Sequence, residues 1–315
     1  MRSRLFLTSS FLMVGLAVLS PTPATAAPEL EAQEAAASET DRINKWFDEQ
    51  YEEQLKFSPI EQTMIGRKTD YGLIDDFSEA GADRELAWLR GVVEEMKSRF
   101  DYARLSPEAK TSYDIWLYNL QQQEAGVPFR TNRYVLHQHN GLQSFFPTFL
   151  INTHKVETEA DMLAFIQRLS GVATALDQLL ARAQANAAAG TRPPRFAYEG
   201  VIDQSTKIIS GAPFDEGEPS AIWTATEEKL QGLVDSGVID AARASVLREQ
   251  AKAALTSAFA PAYQRIIAWF QADLPNSDAG ARGVGALANG EAFYNYRLAN
   301  QTTTELTADE IHNLG

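Results

Sequence analysis

The 315-residue sequence contains no cysteine and only four histidines. The absence of cysteine excludes disulfide bonds, thiolate metal sites, cysteine nucleophiles and a lipidated cysteine anchor. Positive charge is also scarce, because 28 Lys and Arg residues stand against 42 Asp and Glu residues, and the formal net charge is -14. An acidic chain repels nucleic-acid phosphates and anionic lipid surfaces. We therefore expect neither a nucleic acid nor a membrane surface among its partners.

Long apolar runs are also rare, and the one that is present lies at the N-terminus. It extends from Leu5 to Leu19, follows two arginines and precedes the small-residue sequence Ala24-Thr25-Ala26. This order is typical of a secretory signal peptide. An uncleaved membrane anchor is the alternative, but a spanning helix needs about 20 apolar residues. The sequence thus predicts a signal peptide over residues 1–26 and a periplasmic or secreted bacterial protein that leaves the membrane after cleavage.

Beyond the signal, the pattern is helical. Residues 27–37 are small, acidic and of low complexity, which predicts a disordered leader. From residue 38 onward, apolar residues recur at spacings of three and four, as in helices that bury one face. Helix starts are indicated at Ser58-Pro59, Ser106-Pro107, Thr158, Ser220, Asp240 and Thr307.

Three segments interrupt this pattern. Residues 130–152 contain Gly141 and Pro147 and favour a long ordered loop or a short hairpin, whereas residues 291–298 fit either a strand or a helix. Pro261 should kink or divide a long helix. The sequence as a whole predicts an all-α fold class, a large multi-helix array with a few short strands or loops, with one helical domain over residues 38–315.

The sequence lacks the common motifs of catalytic and nucleotide-binding sites. The sequence has no H-E-x-x-H, no G-x-S-x-G, no phosphate-binding loop and no dinucleotide fingerprint. His137 and His139 could share one side of an extended segment, with His154 as a third metal ligand, but a metal site needs three or four supported ligands. A polar loop that lines a groove is the other interpretation, and we prefer it. We assign no catalytic residue, metal ligand or cofactor to this chain.

Two segments mix polar and aromatic residues in a way that suits the binding of a peptide or a small organic substrate. They are residues 134–149 and residues 293–304. A buried aromatic end-piece is the alternative for such mixtures. The candidate substrate-binding residues, chosen on loop composition alone, are His137, Asn140, Gln143, Tyr294 and Tyr296.

The last residues contain a complete helix start, in which Thr307 and Glu310 can form a capping box. This start fits either a short terminal helix closed by Gly315 or the beginning of a longer chain.

The chain resembles the front half of the bacterial family called domain of unknown function 885. The resemblance covers nearly the whole chain after the signal, and its most specific part is the end block. The matching stretches are Phe57-Ser58-Pro59, Asn140-Gly141 with Phe149-Leu150, Phe165-Ile166-Gln167-Arg168-Leu169, and the end block over residues 290–315.

Members of this family look like helical zinc peptidases with a deep channel, and they are about twice this length. The resemblance implies that this chain is the incomplete N-terminal half of a metallopeptidase-like hydrolase acting on peptides. The zinc motif attributed to the family lies beyond Gly315, so zinc is implied for the full-length family only and this chain alone should be inactive. The alternative is a complete periplasmic helical binding or scaffold protein without catalysis. The oligomeric state stays open.

Overall fold

The computed structural model describes residues 26–315, with side chains described from residue 38 onward. Apart from Ala26, the predicted signal peptide lies outside this part of the chain. Within it the fold is all-α, as predicted, and an isolated bridge between Ala212 and Pro219 is the one β-type pairing. The helices are α1 Ala26–Leu55, α2 Pro59–Met64, α3 Glu79–Arg99, α4 Pro107–Gly126, α5 Leu142–Asn152, α6 Glu159–Ala188, α7 Arg195–Ile208, α8 Ala221–Asp235, α9 Ala241–Ala254, α10 Ala260–Asp273, α11 Gly290–Thr302 and α12 Ala308–Leu314.

The larger of two hydrophobic cores surrounds α6. This helix buries a continuous stripe that includes Phe165, Leu169 and Leu176. Residues of α5 and of α8 to α10 pack around it, and α7 completes the core by packing on α5 and α10. A smaller core joins α1, α3 and α4 around Trp46 and Met96. Amphipathic helices of this kind are stabilised mainly by the burial of their apolar face.

Most predicted helix starts are confirmed. The side chains of Ser106, Ser220 and Asp240 accept a hydrogen bond from the first turn of α4, α8 and α9, and Thr158 and Thr307 form capping boxes. The prediction at Ser58 was wrong in detail, because its side chain makes no capping bond. Instead, Asp75 Oδ1 accepts the Ile60 N–H at 2.9 Å, since the chain after α2 returns to the start of that helix.

The loop or hairpin expected over residues 130–152 was wrong for its second half, which is helix α5. Phe146, Phe149 and Leu150 are fully buried on one side of α5, so tertiary packing overrides the proline. Pro147 lacks the N–H that would bond to the Gln143 carbonyl. The buried Tyr263 Oη donates to that carbonyl at 2.6 Å and satisfies it.

Three further segments are helical. Residues 291–298 are helical and lie in α11. A π-helical turn over Leu255–Phe259 separates α9 from α10 just before Pro261. The long helix is thus divided next to the proline, as predicted. Residues 27–37, predicted as a disordered leader, form the first turns of α1, and their alanines and glutamates have high helix propensity.

Candidate functional site: a groove between α3, α4 and α11

Helix α11 is attached to α4 and to the 3₁₀ turn that follows it, Val127–Asn132. At its start, Asn132 Nδ2 donates to Asn289 Oδ1 at 2.6 Å. In its last turn, Asn300 Nδ2 donates to Gln122 Oε1 at 3.3 Å. These two amide pairs hold α11 at both ends.

Tyr296 fixes the middle of α11. Its ring stacks on Phe129, with the ring centroids 5.2 Å apart, and its Oη donates to the Gln122 carbonyl at 3.3 Å. The last residue of α4 must be small for this contact, because a Cβ on Gly126 would lie 2.5 Å from Tyr296 Oη. The tyrosine therefore lies against the end of α4.

This arrangement leaves a cavity of about 440 Å³ between the helices. A second cavity of about 240 Å³ lies beside it and shares Glu85, Gln122, Gln123 and Asn300 with it. We call the two together the α3–α4–α11 groove. The first cavity, which we call the arginine cavity, is also lined by Ala82, Leu86, Gly126, Arg130, Arg133, Arg182, Tyr296 and Arg297.

Two arginines of the arginine cavity are held by acids of α3. Arg130 Nη1 donates to Asp83 Oδ1 at 2.6 Å and to Glu79 Oε2 at 3.3 Å. Arg182 Nε lies 2.7 Å from Glu79 Oε1 in an ion pair, although its buried N–H is not aligned for a hydrogen bond. The carboxylates of α3 therefore hold these two guanidinium groups in place.

The other two arginines of the cavity are Arg133 and Arg297. Within residues 38–315, neither guanidinium forms a hydrogen bond or an ion pair. Glu85 on α3 is half-buried in the same cavity and likewise has no ion-pair partner among these residues. Burial raises the pKa of the Glu85 carboxyl above its ordinary value. The cavity thus offers two cations and one carboxyl group that have no ion-pair partner among the described side chains.

The second cavity has an aromatic wall. The rings of Trp88 on α3 and Trp116 on α4 meet edge to face, with centroids 6.1 Å apart, and both are half-buried. Asn119 and Gln54 complete this side with amide groups. The groove therefore combines an apolar end with a cationic end, and the shared amides lie between them.

The residues predicted to bind substrate are not brought together. Tyr296 lines the groove, whereas Tyr294, two positions earlier on α11, is exposed and lies outside its lining. His137, Asn140 and Gln143 belong to the segment before and at the start of α5, and they line neither cavity of the groove.

Gln143 is fully buried and has a structural contact network. Its Nε2 donates to the His137 carbonyl at 2.7 Å and to Gln204 Oε1 at 2.9 Å. Asn140 is exposed and has a positive φ of 55°, which asparagine tolerates better than most residues. These bonds fix the turn that starts α5. Contact of these residues with a substrate stays a prediction.

Sequence reasoning missed the charged side of the groove. Its four arginines come from the 3₁₀ turn, the residue after it, α6 and α11, so no local motif links them. Trp116 packs on the smaller core and also borders the groove. Only the polar and aromatic composition of residues 293–304 gave a usable signal.

No metal site is evident in the part of the chain that the structure describes, where no three His, Asp or Glu residues are grouped to hold an ion. His154 cannot be the third ligand considered above, because both of its ring nitrogens are used. Nδ1 lies 2.9 Å from Arg168 Nη1, and Nε2 lies 3.1 Å from the Asp161 carbonyl. The residues present thus do not fit a zinc ion.

Comparison with known proteins identifies the family. The family model described as "Bacterial protein of unknown function (DUF885)" matches residues 59–315. The chain belongs to the DUF885 family. None of the curated protein sequences compared with this DUF885 chain matches it.

A solved structure shares the fold. It is described as "the putative lipoprotein from Colwellia psychrerythraea", with 17% sequence identity and a TM-score of 0.67. The match covers 90% of this DUF885 chain and 47% of the other one, so the chain spans about half the length of that protein. Among the described residues, no helix has both the length and the apolar character that a membrane span requires.

Proposed function

We propose that this DUF885 chain forms the substrate-binding wall of an exported hydrolase that acts on peptides, and that the peptide lies in the α3–α4–α11 groove. The observation that carries the proposal is the lining of the groove. Amide side chains of Gln122, Gln123 and Asn300 can pair with peptide N–H and C=O groups, while the tryptophan pair offers an apolar contact for a side chain. Ligand sites commonly combine such apolar surface with a few polar groups.

The catalytic part of the proposal rests on the family resemblance. A zinc ion would lower the pKa of a bound water to about 7 and so provide a nucleophile. The residues described here do not fit that ion, and we derive no hydrolytic step from them. We propose instead that this chain is the N-terminal portion of a longer hydrolase. The match to only 47% of the solved structure of similar fold supports this proposal.

Export is supported by the N-terminal sequence pattern, and the description of the solved structure as a lipoprotein is consistent with it. A complete binding or scaffold protein without catalysis is the second candidate. Its groove would bind the same ligands without hydrolysing them.

Peptide binding can be tested with the intact chain. We expect acetyl-Ala-Phe-Ala to change the tryptophan fluorescence saturably, because Trp88 and Trp116 line the groove. Gln123→Ala should weaken this binding, whereas Gln121→Ala, an exposed neighbour outside the groove lining, should not. The absence of binding, tested also with peptides whose central residue is leucine or glutamate, would refute the proposal.

Mass spectrometry of the same mixtures, with zinc added, tests the catalytic part. We expect the peptides to stay intact. Cleavage by this chain that a chelator stops would show that the missing half is not required for hydrolysis.

A further inference from the structure

We propose that the arginine cavity binds the terminal carboxylate of a peptide through the guanidinium groups of Arg133 and Arg297. This inference rests on the proposed function and specifies which end of the peptide the groove holds. These two side chains differ from the other arginines of the cavity in their partners.

Acidic residues are abundant in this protein, yet these two arginines have no ion-pair partner in the part of the chain that the structure describes. The chain has 42 acidic residues for 28 basic ones. Arg130 and Arg182 have acids of α3 as partners, whereas Arg133 and Arg297 border the same cavity without one in the described part of the chain. An arginine beside a cavity has its hydrogen-bond donors available for an anionic ligand.

The shape of the donors favours a carboxylate. A guanidinium presents parallel N–H groups that match the two oxygens of a carboxylate or a phosphate. Glu85 lies in the same cavity and would repel a multiply charged phosphate, but its oxygens can accept the N–H groups of a peptide. The combination of cations, one carboxyl group and amides therefore fits the end of a peptide better than it fits inorganic phosphate.

The size and the surroundings define the ligand further. A cavity of about 440 Å³ falls in the usual range of small-ligand sites, about 300–1,000 Å³. The cavity beside it has the Trp88–Trp116 wall. A peptide whose carboxylate lies at Arg133 and Arg297 can place a preceding side chain against these rings, so an aromatic or branched apolar residue near the C-terminus is preferred.

Two forms of one peptide provide the test. We expect acetyl-Ala-Phe-Ala with a free carboxylate to bind about tenfold more tightly than its C-terminal amide, as measured by calorimetry at low salt. Arg297→Gln and Arg133→Gln should each remove most of this difference between the acid and the amide. Arg195→Gln removes an exposed arginine of α7 outside the groove and should change neither affinity. Thermal melts establish that each variant is folded, and the exposed Arg133 supplies the second variant if Arg297→Gln does not fold.

The outcomes separate the two proposals. Equal affinity for the acid and the amide would overturn carboxylate recognition while peptide binding stands. Binding of neither form would overturn both proposals. If inorganic phosphate displaced the free acid as effectively as a second peptide does, the cavity would be a general anion site, and the inference would also be wrong.

Discussion

Arg168 at the centre of the fold and the free arginines of the groove are the same residue type in opposite situations. Arg168 is fully buried, yet each of its nitrogens has a partner: Nε donates to the Leu73 carbonyl at 2.9 Å, and Nη2 donates to Thr63 Oγ1 at 2.7 Å. Nη1 faces His154. Arg133 and Arg297 are more accessible and have no partner within residues 38–315.

The contrast shows that hydrogen-bond saturation distinguishes a structural arginine from a binding one. The Arg168 guanidinium also lies 5.0 Å from the ring centroids of Tyr71 and Phe149. Aromatic faces thus help to stabilise this cation, which forms no ion pair with a carboxylate of the described residues. Burial lowers the pKa of Arg168 to about 10. Nothing remains on this side chain for a ligand, whereas the arginine cavity leaves two head groups unused.

The largest expected effect is the difference in stability between two variants, in which methionine replaces either the buried Arg168 or Arg297 of the groove. Arg168→Met leaves several buried acceptors unsatisfied and should lower the free energy of unfolding by about 3–5 kcal/mol. Arg297→Met should change it by less than about 0.5 kcal/mol, because no bond is lost. Urea unfolding of both variants measures the difference. A similar loss in the two proteins would invalidate the distinction.

The second prediction concerns pH and His154, which packs against Arg168. Burial lowers the pKa of His154 to about 4, and the charges of Arg168 and Lys229 act in the same direction. In the unfolded chain His154 has an ordinary pKa near 6.5. Between pH 6.5 and pH 4 this histidine is therefore protonated in the unfolded chain but mostly neutral in the folded chain. This contribution to stability is complete above pH 6.5 and is lost as the pH falls towards 4.

His154→Gln removes this titration. The stability difference between wild type and His154→Gln should therefore shrink by about 3 kcal/mol between pH 7 and pH 4. Burial raises the pKa of Asp75 to about 6, so its contribution to stability increases as the pH falls. Because Asp75 is present in both proteins, this contribution cancels in the difference between them. Denaturant midpoints at several pH values give the result. A difference that does not vary with pH would show that His154 titrates normally in the folded protein.

Local sequence signals predicted the helices well but gave little sign of the groove. Capping residues such as Thr158 and Asp240 lie next to the turns that they satisfy, so their role can be read from neighbouring residues. The groove depends on tertiary contacts: Arg182 and Arg297 lie more than a hundred positions apart and meet only because α11 packs on α4. Only Tyr296, among the five predicted binding residues, was placed in it.

Helix α5 forms where the sequence predicted a loop or a hairpin, and the contact that allows it has the smallest expected effect. Pro147 suggests a break, but the phenol of Tyr263 supplies from α10 the donor that the proline lacks. Tyr263→Phe should therefore cost about 1–3 kcal/mol, because the Gln143 carbonyl is left buried without a donor. In a Pro147→Ala background the alanine N–H can take over this role.

The double-mutant cycle isolates that exchange. We expect Tyr263→Phe to cost about 1 kcal/mol less in the Pro147→Ala background than in the wild type. Tyr198→Phe is the matched control, since the Tyr198 hydroxyl donates to Asp273 at 2.7 Å and its partner does not depend on the proline. Its cost should be the same in both backgrounds, as measured by urea unfolding. If Tyr263→Phe also costs the same in both, then the tyrosine does not replace the missing helical donor, and α5 tolerates its proline through packing of Phe146, Phe149 and Leu150 alone.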